Sequence, residues 1–227
     1  MKPCAIVPLP QTGDPATAFS PVGGQAPLVR VVRSVQTLVA DARIVVATVP
    51  ALASDASACL HESDLDPVAV TVAREGASRR QVLVAGLEHL GVERNSSTPV
   101  LICDLRHPLS PGEAADRVIA ALRGDRDVVV PTLPVTDTVK TVDELGSVLG
   151  TVDRATLRTV QYPRGFTASA LWDLVSSPSA ADDGDEFTTA MRAGLDIGTV
   201  DGDANGFQVE LPCDAQLMEA IIACRPG

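Results

Sequence analysis

"CAIVPLPQTGDPATAFSPVGGQAPLVRVVRSV", residues 4–35, sets a short apolar strand, a loop and an amphipathic helix in that order. In α/β enzymes this order often cradles a phosphate, because free backbone N–H groups and the positive end of the helix dipole converge there. Here, however, the loop carries prolines and an aspartate where such a loop wants glycines and cations. By position the stretch reads as a nucleotide site; by chemistry it lacks much of what such a site uses.

The same rhythm continues beyond it. "RIVVATV" (43–49), "VAVTVA" (68–73), "PVLICD" (99–104) and "DVVVPTLPV" (127–135) read as buried strands, like "CAIV" (4–7) before them. Between them, "PLVRVVRSVQTLVA", "ALASDASACL", "RRQVLVAGLEHL" and "GEAADRVIAALRG" have helical spacing and length. Strands alternating with helices predict βαβ units, hence an α/β fold with a Rossmann-like, mostly parallel sheet flanked by helices.

The rhythm breaks over 134–163. "TDTVKTVD" and "SVLGTVDR" flank a tight polar turn, "ELG", and predict a protruding β-arm over 134–160. Such an arm has to cover its apolar side, and a partner subunit would do so. Beyond it the spacing predicts helices over 166–177 and 186–194, short strands near 196–200 and 206–210, and a closing helix from Pro212.

Length and composition narrow the function. With 227 residues, 45% of them hydrophobic and few aromatic, the chain reads as a single domain over 1–227 with a core of Val, Ala, Leu and Ile. A net charge of −11 repels phosphate backbones and anionic lipid, so nucleic acid and membrane surfaces are excluded as partners. Five scattered cysteines with no CxxC spacing suit a reducing compartment, and no apolar span is long enough for a bilayer; the expectation is a cytoplasmic protein. Lys2 and Lys140 are the only lysines, so most cations that meet a phosphate must be arginines.

Several residues could carry chemistry. Asp104 ends a strand in "LICDLRHP"; a carboxylate there is a natural magnesium anchor or, alternatively, a cap for the loop or the next helix. His107 lies just beyond it. In "EGASRRQVLVAGL", Gly76 stands at a turn and Arg79–Arg80 open a helix, where cations oppose the dipole unless an anion sits between. "TDTVK" puts Thr138 and Lys140 on one face of the arm, a pairing that suits a phosphate, and Arg154 begins the segment leaving it. The cluster Asp182, Asp183, Asp185 and Glu186 reads as a solvated loop leading into a helix rather than a cation site. The chain has no Walker loop, no GxSxG and no Cys/His pairing for nucleophilic catalysis.

Four of these segments, in order, resemble one family almost end to end: the 2-C-methyl-D-erythritol 4-phosphate cytidylyltransferases of the non-mevalonate isoprenoid pathway. "EGASRRQVLVAGL" is similar to its Gly-Gly-x-x-Arg-x-x-Ser-Val-x-x-Gly-Leu, and "LICDLRHPL" to its His-Asp-Ala-Ala-Arg-Pro. "VVVPTLPVTDTVKTVD" with "VDRATLRTVQYPRGF" resembles the arm and the Arg…Gln-Thr-Pro-Gln-x-Phe after it. "VDGDANGFQVELPCDAQLMEA" resembles the closing Gly-Asp…Lys-Ile-Thr-x-Pro-x-Asp-Leu.

The resemblance implies a glycosyltransferase-A-like nucleotidyltransferase fold and a homodimer joined through the arm. It also implies attack of a sugar phosphate on the α-phosphorus of CTP with Mg2+ present. Asp104 matches the magnesium aspartate. Arg79, Asp137, Thr138, Lys140 and Arg154 match segments that handle the methylerythritol phosphate or support the site across the dimer. Gly13 and Gly76 match the nucleotide-binding glycine loops.

The departures fall on the triphosphate side. The loop "PLPQTGDPATAFSP" is shorter than the family's Pro-Ala-Ala-Gly-x-Gly-x-Arg…Pro-Lys; it keeps Gly13, loses the arginine, and sets Thr17 in the lysine's place. The closing-motif lysine falls on Gln208 and the serine of Arg-x-x-Ser-Val on Val82. The arginine of Ala-Ala-Arg-Pro falls on His107, with Arg106 one position early. Three readings stay open: the family's transfer at reduced efficiency, a silent homologue that binds a sugar phosphate or a protein partner, and transfer from a different nucleotide.

Overall fold

Burial on both faces explains the apolar runs. The computed structural model describes residues 1–9, 14–38, 43–124, 126–177 and 185–224. In β1 (Cys4–Pro8), Ala5 and Val7 face one half of the core and Cys4 and Ile6 the other, and all four are fully buried. Ile44, Val46 against Val45, Ala47 repeat the division in β2 (Arg43–Thr48), as do Leu101 against Val100, Ile102 in β4 (Pro99–Ile102). Strands covered on both sides need no polar face, hence the continuous runs of Val and Ile.

β1 pairs in parallel with β2 and β4, and β2 with β3 (Ala69–Val72). β5 (Val128–Pro134) pairs in parallel with β10 (Ile197–Asp201). Between the two parallel groups runs β9 (Arg164–Thr167), antiparallel to both β4 and β5, giving the order β10-β5-β9-β4-β1-β2-β3. β8 (Arg158–Val160) adds an antiparallel pairing to the end of β5. β6 (Lys140–Val142) and β7 (Val148–Thr151) form a separate two-stranded sheet, the hairpin expected there.

α1 (Pro27–Leu38), α2 (Pro50–His61) and α4 (Gly112–Leu122) pack on one face of the sheet. α3 (Arg79–His89), α5 (Ala168–Ser176) and α6 (Glu186–Arg192) pack on the other. α7 (Ala215–Ala223) closes a small third cluster of Val22, Leu109, Val209 and Met218 beyond the carboxyl end of β4. No helix among the described residues is long and apolar enough to cross a membrane.

Two expected elements differ. The helix foreseen over 166–177 begins at Ala168, because Phe166 and Thr167 finish β9 and the Thr167 hydroxyl caps the helix by accepting from the Ala170 N–H at 3.3 Å. The strand foreseen at 206–210 is irregular backbone. Its polar groups go to the loop after β4 instead: the Val209 N–H donates to the Arg106 carbonyl at 2.8 Å, and the Gly206 carbonyl meets His107. Gly13, Asp182 and Asp183 lie outside the described residues.

β9 can lie under α4 only because residue 165 has no side chain. A Cβ there would sit 2.2 Å from Val118 Cγ1 and 2.8 Å from Leu122 Cδ1. Overpacking of this kind destabilises by about 1–3 kcal/mol. Gly165→Ala is expected to lower the unfolding free energy by that amount, read in urea as a lower midpoint with an unchanged slope; a midpoint equal to wild type would mean that α4 shifts freely.

Candidate functional site

Strand ends build the site. β4 stops at Ile102, Cys103 still donates its N–H to the Ile6 carbonyl at 3.0 Å, and the chain then turns, closed by the His107 N–H on the Asp104 carbonyl at 3.0 Å. Asp104 thus stands just beyond the carboxyl end of the strand, where open α/β sheets bind ligands. Its side chain is 8% exposed. Oδ1 accepts from the Arg106 N–H at 2.8 Å and from Arg106 Nε at 3.1 Å, and Oδ2 accepts from Nη2 at 2.8 Å. Burial alone would raise the Asp104 pKa, but the bonds from Arg106 and the charges of Arg106 and Arg79 outweigh it and hold the carboxyl below its ordinary value.

Arg79 opens α3 as expected, after the Gly76 turn with its φ of +67°. The anion beside it belongs to the protein. Arg79 Nε and Nη2 donate to Glu186 Oε2 and Oε1 at 3.0 and 3.3 Å, and the Glu186 side chain is 1% exposed. Burial opposes the charge of Arg79 and Glu186 sustains it, so its pKa stands above the ordinary arginine value. Arg80 donates to the Ser177 carbonyl at 2.6 Å. Asp185 and Glu186, read in the sequence as part of a solvated cluster, are structural: Asp185 caps α6 through the Thr188 N–H at 2.8 Å.

Arg164, to which the sequence reading gave no role, joins this network. It pairs with Asp185, lies 3.8 Å from Glu186 Oε1, and stacks its guanidinium over Tyr162 and Phe187 at 4.2 and 4.9 Å from the ring centres. The one available signal was an arginine in the middle of "QYPRGF", a position whose burial only the β9 pairing reveals. Gln161, also missed, grips the closing segment: its Nε2 donates to the Asp203 carbonyl at 2.7 Å and its Oε1 accepts from the Asp203 N–H at 2.9 Å.

His107 turns inward. It is buried, its ring stands 5.0 Å from Tyr162, and Nδ1 lies 2.9 Å from the Gly206 carbonyl. Because a carbonyl only accepts, the proton sits on Nδ1. Burial pulls the His107 pKa below its usual value despite that bond. The residue to which the resemblance assigns an arginine is thus a neutral tether of the closing segment, while Gln208 on that segment is exposed.

From Asp14 onward the segment after β1 is tied to itself. Asp14 caps a short 3-10 turn over Pro15–Ala18: Oδ1 accepts from the Ala16 N–H at 3.0 Å, and its carbonyl accepts from the Thr17 N–H and hydroxyl at 3.1 and 2.7 Å. Arg30 of α1 donates to the Val22 and Gly23 carbonyls at 2.8 and 2.7 Å.

The arm residues stand apart from this cluster. Asp137, Thr138, Lys140 and Arg154 are all exposed; Lys140 Nζ donates to Thr151 Oγ1 across the hairpin at 2.6 Å, and Arg154 donates to the Thr136 carbonyl. Among the described residues no hydrogen bond or ion pair joins them to Asp104 or Arg79.

The donor set can be tested against magnesium. Mg2+ takes octahedral oxygen ligands, one or two of them carboxylates. Both oxygens of Asp104 already accept from Arg106, and Oδ1 accepts from its backbone N–H as well, so the carboxylate is taken up by the protein's own donors. These residues do not fit a resident magnesium.

Removing Glu186 leaves Arg79 without its partner and strips one of the two carboxylates from Arg164. Breaking a buried pair in this way typically costs about 3–5 kcal/mol. Glu186→Ala is expected to destabilise by that order in chemical denaturation; a change near zero would mean that solvent replaces the carboxylate without penalty.

Comparison with known proteins agrees with this architecture. The model of the family described as 2-C-methyl-D-erythritol 4-phosphate cytidylyltransferase matches residues 11–224. A protein of that name from Nocardia farcinica is 38% identical over 210 residues, 90% of this chain and 85% of the relative. One from Rhodococcus jostii is 35% identical over 208 residues, 90% and 86% of the two chains. The crystal structure of a 4-diphosphocytidyl-2C-methyl-D-erythritol synthase superposes with a TM-score of 0.77 at 24% identity, over 97% of this chain and 98% of the other. The Thermus thermophilus cytidylyltransferase gives 0.72 at 25% identity, over 98% and 100%. With the matched model spanning nearly the whole chain and relatives above one third identity, the chain belongs to the 2-C-methyl-D-erythritol 4-phosphate cytidylyltransferase family.

Proposed function

We propose that the protein is a cytoplasmic homodimer that transfers the cytidylyl group of CTP to 2-C-methyl-D-erythritol 4-phosphate, at a rate below that of an ordinary enzyme. The observation that carries this reading is family membership over residues 11–224 with charged groups gathered at the carboxyl end of β4, where Arg79 and Arg106 both act on Asp104. A phosphate oxygen of the methylerythritol phosphate attacks the α-phosphorus, the bond to the β-phosphate breaks, and pyrophosphate leaves with its electron pair. Two polyanions must be brought together, so positioning and fixed positive charge do most of the work.

In this reading Arg106 meets the triphosphate and Arg79 positions the carboxylate side of the site. Gly76 lets backbone approach the nucleotide, and Asp137, Thr138, Lys140 and Arg154 of the arm take the sugar phosphate. The arm supports dimerisation through its exposed apolar residues Val142, Leu145, Val148 and Leu149, with Leu145 92% exposed. The reduced rate follows from the missing cations, each such donor being worth a factor of ~100–1000.

A second reading, a silent homologue that binds the sugar phosphate without turnover, has its own support. The Ala16 and Thr17 N–H groups are held by Asp14, so donors that a triphosphate would use are occupied.

Pyrophosphate release from CTP and methylerythritol 4-phosphate decides between them. Release that requires both substrates, more than about a hundredfold below ordinary turnover of roughly 1–1000 per second, is the expected result. Saturable sugar-phosphate binding in calorimetry with no detectable CTP binding would favour the silent homologue. Lys140→Ala and Arg154→Ala should each raise the KM for the sugar phosphate about 10–100-fold, the size of a lost charged hydrogen bond, and leave that for CTP unchanged. Leu145→Asp with Leu149→Asp should sediment as a monomer where wild type sediments as a dimer.

A further inference from the structure

A carboxylate as buried as Asp104 requires a counter-charge. In a site for phosphates at a strand end, a divalent cation is the usual supplier. This chain supplies its own. The turn after β4 folds Arg106 back over Asp104, so that the guanidinium fork covers both carboxylate oxygens while the backbone N–H adds a third bond. The two partners are unequally exposed, 8% for the Asp104 side chain and 55% for Arg106. One edge of the guanidinium therefore seals the carboxylate and the rest of the side chain meets solvent. Nε and Nη2 are engaged, which leaves the Nη1 hydrogens for an incoming phosphate oxygen.

A magnesium ion at Asp104 would have to break these charge-assisted bonds and sit beside a guanidinium that does not lose its proton at any physiological pH. We propose that Arg106 is the resident cation of the Asp104 site, occupying the carboxylate a metal would need and offering its free edge to a phosphate. Metal and guanidinium are alternatives at Asp104, and diphosphate binding needs the guanidinium rather than the metal. The proposal rests on the reading of this strand end as the phosphate-handling site, and its readouts, metal and pyrophosphate binding, require no turnover.

The test titrates Mn2+ into the full-length protein and follows water-proton relaxation, for wild type, Arg106→Gln, Arg106→Lys and the double variant Asp104→Asn/Arg106→Gln. Arg106→Gln is expected to bind Mn2+ about tenfold or more tighter than wild type, the scale on which neighbouring groups tune metal sites. Arg106→Lys, which keeps a charge but not the fork, should gain less, and it carries the test if Arg106→Gln does not fold. The double variant should lose the gain. Equal Mn2+ affinity in wild type and Arg106→Gln, whether tight or weak, overturns the proposal, as does a gain that survives Asp104→Asn. In parallel, calorimetry with inorganic pyrophosphate in EDTA should show binding to wild type that falls about tenfold or more in Arg106→Gln. Pyrophosphate binding that appears only when Mg2+ is added back would show the metal, not Arg106, to be the working cation.

Discussion

A carboxylate that is 1% exposed must find its cations inside the protein, and Glu186 finds two. It sits at the start of α6, receives Arg79 from the start of α3 and lies near Arg164 from β9. Three elements distant in sequence are thereby brought to one point on the α3 face of the sheet. Charge left unpaired there would be expensive, so the arrangement leaves little freedom to any of its members. The site beyond β4 is built against this anchor: Tyr162 lies under the Arg164 guanidinium and beside the tilted ring of His107, and His107 holds the closing segment.

The same principle explains the turn at Asp14 and the loop after β4. In both, groups that would be free to meet a phosphate are satisfied from within. Asp14 takes N–H groups of its own turn, and Arg106 takes Asp104. Internal satisfaction stabilises these turns and competes with any ligand that needs the same donors.

The sheet was legible because its central strands are buried on both faces, which leaves uninterrupted Val, Ile and Leu in the sequence. β9 was not legible. "RGFT" is short, holds an arginine and a glycine, and owes its place to pairing on both edges and to the missing side chain at Gly165, which lets α4 pack directly on the strand. "GFQVE" erred the other way, since its alternation resembles a strand while its N–H and carbonyl groups go to Arg106 and His107. Asp104 and Arg79 stand at the strand end and helix start at which the sequence set them. Their partners Arg106 and Glu186 were visible as residues, but the pairings depend on a backbone turn and on a contact across 107 positions of sequence. Local patterns carry no record of such pairs.

Gln161 and His107 hold the closing segment by its main chain, at Asp203 and Gly206, and not by its side chains. The fold is therefore indifferent to what the exposed positions of that segment carry. A lineage can exchange the residue at 208, losing a cation or regaining one, without the segment leaving its place. The charge presented there can change by single substitutions while the architecture that carries it stays constant.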